Sequence, residues 1–479
     1  MEKKKSVKIN FIYNTIFQIL IYIIPLITTP YVSRVLGAEQ IGQYSYVMSI
    51  VTYFTLVATL GTVTHGQRAV AYNRNDKLKL SIVFWDILSF RVITTIITSV
   101  LYTAYLRLCA YPISLLEIIV ILNIINVAID VTWFFQGLED FKQTVLRGLA
   151  VKISGLICIF LFIKSSNDTW KYAMILLGAT MLGNISLWRY IPKLVFKPIT
   201  IHPFHEIKDI IQVFLPTVAT QVYMVLDKSM IGWITKSDYA NGCYEQSEKI
   251  VRVLLIIVSS VSTVVLPRVA NLYSIQDKES IKQYIYKSYR VVLCLAIPFM
   301  FGLVVISSVF MPLYLGSGYD MSVGLLIIFS WLLIVVGMAS VTGLAYLVPT
   351  KQQNVYTFSV TIAAVVNFLM NLFLIPKIGA YGAAIASIVA ESVGSLLQLL
   401  YCILKKQLEI NKVFRPSWKY VVSGSLMFAC LELIKYKFNS GFISLCILVS
   451  AGVFIYVTML IILRDNLVMG IINKYFRRV

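Results

Sequence analysis

Apolar runs of about twenty residues recur along almost the whole chain, and the short gaps between them alternate between rich and poor in Lys and Arg. A helix of about 20 apolar residues crosses the hydrocarbon core of a bilayer. The pattern therefore predicts spans near 9–30, 41–63, 80–106, 113–135, 144–163, 170–191, 209–235, 249–270, 288–314, 322–348, 354–375, 380–404, 417–435 and 440–463, fourteen in all. These runs are too long and too evenly apolar for barrel strands, and backbone inside hydrocarbon must satisfy its own hydrogen bonds. The expected fold is all-α and polytopic. A hydrophobic share of 58% and a mean hydropathy of +0.81 agree with it and exclude an ordinary soluble domain.

The gaps set the orientation. With Lys3, Lys4, Lys5 and Lys8 in the cytoplasm, every second gap also lies inside, and about 29 of the 42 Lys and Arg residues fall there. Both termini are then cytoplasmic and the protein sits in the plasma membrane. Among the inner basic residues are Arg68, Arg74, Lys142, Arg147, Arg268, Lys351, Lys412, Arg415, Lys419, Lys474, Arg477 and Arg478. This bias accounts for the net charge of +20 without nucleic acid. Basic loops beside a bilayer meet anionic headgroups, and no aromatic-basic strand pattern of an RNA-binding module is present. The first apolar run is too long for a cleavable signal and has no clear small-x-small site after it. Seven scattered cysteines, most within spans, read as small apolar fillers. His65, His202 and His205 fall on the inner side, the last two in a solvated loop, and no metal-ligand spacing surrounds them.

A shift of 200 residues aligns Gly42–Gln43–Tyr44 with Gly242–Cys243–Tyr244, Ile50–Val51 with Ile250–Val251, and Arg68 with Arg268. Each Gly-x-Tyr opens a span after an outer gap, and each Arg closes that span at the inner face. An even number of spans separates the copies, so they run in the same direction. This predicts two pseudo-symmetric six-helix lobes, residues 1–192 and 209–405, joined by a cytoplasmic linker at 193–208. Residues 406–479 add two further helices and a tail. Pro25, Pro30, Pro216 and Pro298 mark bends within spans. A flexing helix and a static kink both fit them.

Charges inside spans are costly, at about 2.5–3.5 kcal/mol each on insertion scales, and need a partner or a wet cavity. Asp86 and Arg91 lie in the third span and Asp130 in the fourth. Arg91 paired with a carboxylate is one reading, and cation coupling through Asp86 or Asp130 is the other. Asp227 and Lys228 lie in the seventh span. The eighth opens with Glu245, Glu248, Lys249 and Arg252, spaced for i,i+4 salt bridges. Arg252 reaches a turn deeper and, with Arg34 and Lys228, is placed to line the outer part of a central cavity. Glu391 stands near mid-membrane among Ala, Ser and Gly, with no basic residue within a turn.

No Walker A motif, no nucleophile–base constellation and no outer loop large enough for a catalytic site is present. Three segments carry a family likeness: Pro30–Tyr31–Val32–Ser33–Arg34–Val35–Leu36–Gly37 running into Ile41–Gly42–Gln43–Tyr44, then Trp133–Phe134–Phe135–Gln136–Gly137–Leu138–Glu139–Asp140–Phe141, and Leu315–Gly316–Ser317–Gly318–Tyr319. With the span count, they make the chain resemble the prokaryotic polysaccharide exporters of the multidrug/oligosaccharidyl-lipid/polysaccharide exporter superfamily, and within them the Wzx-type repeat-unit flippases.

The resemblance implies a flippase, not an enzyme, that moves polyprenyl-diphosphate-linked oligosaccharides to the outer leaflet by alternating access, for O-antigen, capsule or wall polysaccharide. Its partners would be that lipid-linked oligosaccharide, membrane lipids, and the polysaccharide polymerase with its assembly machinery. It needs no cofactor beyond coupling to H+ or Na+. A cationic cavity suits such cargo, because Arg and Lys bind diphosphate well. Arg34, Lys228, Arg252, Lys249 and Arg91 are the candidates for that role. Glu391, Asp86, Asp130 and Asp227 are the candidates for ion coupling. A lipid II flippase and a multidrug/cation antiporter of the same superfamily stand as alternatives.

Overall fold

The structure is a computed structural model that describes residues 7–108, 113–198, 200–437 and 441–470, and these contain helices and no strand. Lys3, Lys4, Lys5, Cys109, Lys474, Arg477 and Arg478 lie outside the described residues, as do the side chains of Lys8, Lys142 and Pro216. The chain packs as two compact units. The first is Met1–Gly232 with Ser237–Gly242, and the second is Trp233–Lys236 with Cys243–Val479.

In the first unit, α1 covers both of the first two expected spans, Val7–Thr59. No loop divides them. Gly37 does so alone, at φ 81° and ψ 170°, a conformation that glycine adopts far more easily than residues with a Cβ. α2 (Thr62–Asn73) and α3 (Lys77–Leu108) follow. The fourth expected span is three pieces: α4 (Leu115–Ile119), α5 (Ile121–Ile129) and α6 (Thr132–Gly137). α7 (Phe141–Phe162), α8 (Thr169–Leu187), the short α9 (Ile191–Leu194) and α10 (Ile207–Thr235) complete it.

The Trp133–Phe141 segment is a packing wedge. Trp133, Phe134 and Phe135 are all buried. The Trp133 ring lies where a Cβ on Gly66 of α2 would stand, and Gly137 rests on Val70 and the Gln67 carbonyl. Glu139 turns the chain in the left-handed region, at φ 57°, so that the Asp140 N–H reaches the Phe135 carbonyl at 2.8 Å. Gln67 Nε2 donates to Gln136 Oε1 at 2.6 Å, and Glu139 pairs with Arg74 at 3.0 Å.

The linker is strapped to α3. Trp85 Nε1 donates to the Phe196 carbonyl at 3.0 Å, and the Phe196 N–H donates to Ser81 Oγ at 3.2 Å. Phe204 meets the Phe90 ring edge-on, and Glu206 pairs with buried His65. α10, expected to open the second lobe, packs within the first unit. Tyr53 and Ser229 hydroxyls meet at 2.7 Å, Gly232 lies under the Tyr46 ring, and Gly61 abuts Phe214 backbone. Division by packing thus falls later in the chain than division at the linker.

The first residues of α11 (Asp238–Ser274) also belong to this unit. A Cβ on Gly42 would strike the Asp238 carbonyl and Gly242 nitrogen, and one on Gly242 the Ala38 carbonyl and Gly42 nitrogen. These are the two glycines that the 200-residue shift aligns. The repeated motif therefore meets its own copy, backbone on backbone.

The second unit holds the rest of α11, then α12 (Lys278–Leu315), α13 (Asp320–Ser330) and α14 (Leu332–Ser340). A π-helical stretch, Val341–Leu347, follows. α15 (Gln353–Ile378), α16 (Ala380–Leu404), α17 (Ile410–Phe414), α18 (Trp418–Lys437) and α19 (Phe442–Ile462) close the chain. The Ala- and Gly-rich face of α16 lets α15 approach closely. A Cβ on Gly382 would meet Leu374 backbone, and one on Gly394 the Ala363 methyl.

Ten helices among the described residues are long and apolar enough to cross a membrane. One of them, Ile24–Asn73, joins the end of the first arm of α1 to its second arm and α2. The other expected spans missing from that count are α7, α10 and α18, of 22, 29 and 20 residues. Gly42→Ala should destabilise the first unit by about 1–3 kcal/mol through overpacking. Gly155→Ala, inside α7 where an added Cβ meets nothing within 4 Å, should not lower the unfolding midpoint in detergent and should raise it slightly, because Ala favours a helix over Gly by about 0.5–1 kcal/mol.

Candidate functional site

The first unit has its densest polar chemistry where the fourth span breaks. α5 stops at Ile129, and Asp130 is extended, at φ −71° and ψ 112°. The last carbonyls of α5 are freed in a region without water, and each must find a donor. Arg91 of α3 supplies two donors: Nε and Nη2 reach the Val127 carbonyl at 3.0 and 2.7 Å. Trp188 Nε1 reaches the Ile129 carbonyl at 2.8 Å. Asp130 stands 3.6 Å from Arg91 Nη2 and also caps α6, accepting from Thr132 N–H at 2.9 Å and from its hydroxyl at 2.6 Å.

Arg91 is only 1% exposed. Named above as a candidate lining of the cationic cavity, it binds the Val127 carbonyl and Asp130 at the broken helix. The structure brings Arg91 and Asp130 together, as one sequence reading had it. Asp86, the other carboxylate of α3, is buried and accepts the His202 N–H of the linker at 2.7 Å. Asp86 and Asp130, both expected as ion-coupling candidates, have partners that account for their places in the fold.

Next to the break runs a polar chain that the sequence reading missed. Asn184 Nδ2 donates to Asn126 Oδ1 at 2.8 Å, and Arg147 donates to Asn184 Oδ1. Arg147, expected in a cytoplasmic gap, lies a third of the way along α7 and is half-buried. The available signal was the pair of amides inside the fourth and sixth spans. Of the remaining candidates in this unit, Arg34 is exposed, Asp227 is buried and Lys228 is half-buried. Asn241 Nδ2 fixes the Lys228 carbonyl at 3.1 Å.

In the second unit the i,i+4 pairs at the start of α11 form as spaced. Lys249 reaches Glu245 at 2.9 Å, and Arg252 reaches Glu248 through Nε at 2.9 Å and Nη2 at 2.5 Å. The Arg252 side chain is 41% exposed and that of Glu248 only 12%. The Arg252 side chain is thus partly exposed, and the carboxylate that holds it is largely covered. Glu391 is half-buried on α16, within electrostatic reach of Tyr356 on α15. No cluster of three or more metal-ligating side chains occurs among the described residues.

Removing one partner of a buried pair leaves the other uncompensated. Arg91→Ala should therefore cost about 3–5 kcal/mol of stability. Asp130→Asn keeps an oxygen to cap α6 and should cost less. Chemical unfolding followed by tryptophan fluorescence separates the two.

A profile described as "Polysaccharide biosynthesis protein" matches residues 7–273, and one described as "Lipid II flippase MurJ" matches residues 179–463. Among curated proteins, the "Putative O-antigen transporter" of Escherichia coli (strain K12) is 21% identical over 407 residues, which cover 83% of this chain and 97% of that protein. The "Probable low-salt glycan biosynthesis flippase Agl15" of Haloferax volcanii is 26% identical over 180 residues, 37% of this chain and 38% of that protein. Among solved structures, a lipid II flippase MurJ in an inward closed conformation superposes with a TM-score of 0.78 at 16% identity, over 95% of this chain and 100% of that one. An inward-facing transporter of the multidrug MATE family gives 0.61 at 14% identity, over 81% and 94%. The structural likenesses establish the fold.

Proposed function

This chain belongs to the polysaccharide biosynthesis protein family, and from that premise we propose that it is a flippase for lipid-linked oligosaccharides. It carries a polyprenyl-diphosphate-linked repeat unit from the cytoplasmic to the outer leaflet of the plasma membrane, exposing the head first to one side and then to the other. It makes and breaks no covalent bond. The observation that carries this reading is the near end-to-end likeness to the Escherichia coli O-antigen transporter, joined to the family match.

The chemistry of the task fits the side chains. A bare diphosphate entering hydrocarbon meets a solvation penalty of order tens of kcal/mol, whereas the prenyl tail meets none. Cationic side chains offset that penalty. Arg34 and Lys228 of the first unit and Lys249 and Arg252 of the second are the cations assigned to that role. Transfer outward across an inside-negative membrane gains about 2.3 kcal/mol per negative charge per 100 mV. Entry of H+ or Na+ in exchange adds to the drive. Asp227, Glu391, Asp86 and Asp130 are the carboxylates assigned to that exchange. The polymerase and assembly machinery would take up the product.

A second reading, a lipid II flippase, draws on the family match over residues 179–463. The two differ in what accumulates. Depletion of the protein should leave lipid-linked repeat units in the inner leaflet, seen by mass analysis of extracted lipids. A rise in lipid II instead would favour the second reading. In proteoliposomes, Arg252→Ala should lower flipping at least about tenfold, the equivalent of roughly 1.4 kcal/mol, while Arg252→Lys retains part of it.

A further inference from the structure

A cavity of about 490 Å³ opens in the second unit, where the start of α18 and the turn after α19 meet the flank of α12. That volume is within the range of small-ligand sites. α12 has 38 residues and is about 57 Å long, well beyond a hydrocarbon core of about 30 Å. Arg290 lies in its first half, on the Lys/Arg-rich side that the charge pattern assigns to the cytoplasm. The cavity is therefore at headgroup depth.

Four cations line it: Arg290, Lys412, Arg415 and Lys419. Two carboxylates oppose them, and both are engaged. Glu409 holds Lys412 at 2.6 Å, and Asp465 caps the turn after α19 by accepting the N–H groups of Leu467 and Val468 at 2.9 and 3.3 Å. Lys419 donates to the Arg464 carbonyl at 3.0 Å. Among the described residues, Arg290 Nε is buried without a hydrogen-bond partner, and exposed Arg415 has no carboxylate paired with it. The site is built rather than loose, because the Glu409 N–H donates to the Tyr286 hydroxyl at 2.8 Å and pins the start of α17 over α12.

Trp418 lines the cavity, and Ile410 and Phe414 stand on the adjoining α17; all three are at least 41% exposed. Exposed Trp and Phe beside Lys and Arg are the side chains of a membrane interface, and basic pockets between spans on this side suit lipid headgroups. Guanidinium forks match phosphate oxygens in pairs. We propose that this cavity is a binding site for the phosphate of an inner-leaflet anionic lipid, whose chains lie along the apolar edge formed by Ile410, Phe414 and Trp418. The bound headgroup ties α12, α17 and α18 to the turn after α19. The site is separate from the cations assigned to the transported head.

The full-length protein in phosphatidylcholine micelles, with and without phosphatidylglycerol, provides the test. Native mass spectrometry reads retained lipid, and thermal unfolding reads stabilisation. Phosphatidylglycerol should be retained and should raise the unfolding midpoint. Arg290→Gln with Arg415→Gln should cut retention by about tenfold. Arg415→Gln alone, at an exposed side chain, should cut it severalfold and keeps the test open if the double variant fails to fold. Lys193→Gln, an exposed cation elsewhere on the same side, should change nothing. Equal retention by the Arg415 variant and the parent overturns the proposal. So does equal protection by inorganic pyrophosphate, which would make this a site for soluble phosphates, and so does a loss at Lys193 as large as that at Arg415.

Discussion

A peptide group inside hydrocarbon has no water to turn to, and this constraint explains where several of the buried polar side chains stand. At three helix breaks or ends a neighbouring helix supplies the missing donor. Arg91 and Trp188 serve the carbonyls freed before Asp130. Thr94 serves the Ala58 carbonyl, next to the end of α1, at 2.7 Å. The Tyr31 hydroxyl serves the Ile163 carbonyl that ends α7, at 2.6 Å. Each donor comes from a different element than the break it repairs, so the breaks also fix which helices are neighbours.

A flippase has to hold charge without stranding it, and the structure separates those two duties. Buried charges are committed: Arg91 to a carbonyl and Asp130, Asp86 to the linker backbone, His65 to Glu206. Partly exposed charges at the start of α11 are paired along their own helix. A cation held by an intrahelical carboxylate is positioned at little conformational cost, and a stronger anion such as a diphosphate can compete for it.

Ten long apolar helices were legible because hydrophobic length alone decides whether a helix crosses a bilayer. The i,i+4 pairs on α11 were legible because helical spacing is local. Gly42 and Gly242 were visible as a repeat, but their mutual contact was not, since sequence similarity carries no distance. The break at Asp130 escaped because Ile129–Asp130–Val131 reads as unbroken apolar helix apart from one carboxylate. The partner of Arg147 was out of reach for a related reason. A cation near a span end gives no sign of an amide 37 positions away. The strapping of the linker to α3 depends on backbone groups, which carry no side-chain signature at all.

The packing of α10 and the beginning of α11 into the first unit has a consequence for biosynthesis. A ribosome that has just released the linker has delivered nine helices but not a finished body. The surface around Gly42, Tyr46 and Tyr53 stays bare until Gly232 and Gly242 have entered the membrane. The two halves of the chain are thus not independent modules made in series. The earlier half waits, incompletely packed, for a segment of the later one, and a nascent chain arrested in that interval presents its glycine seam to the insertion machinery.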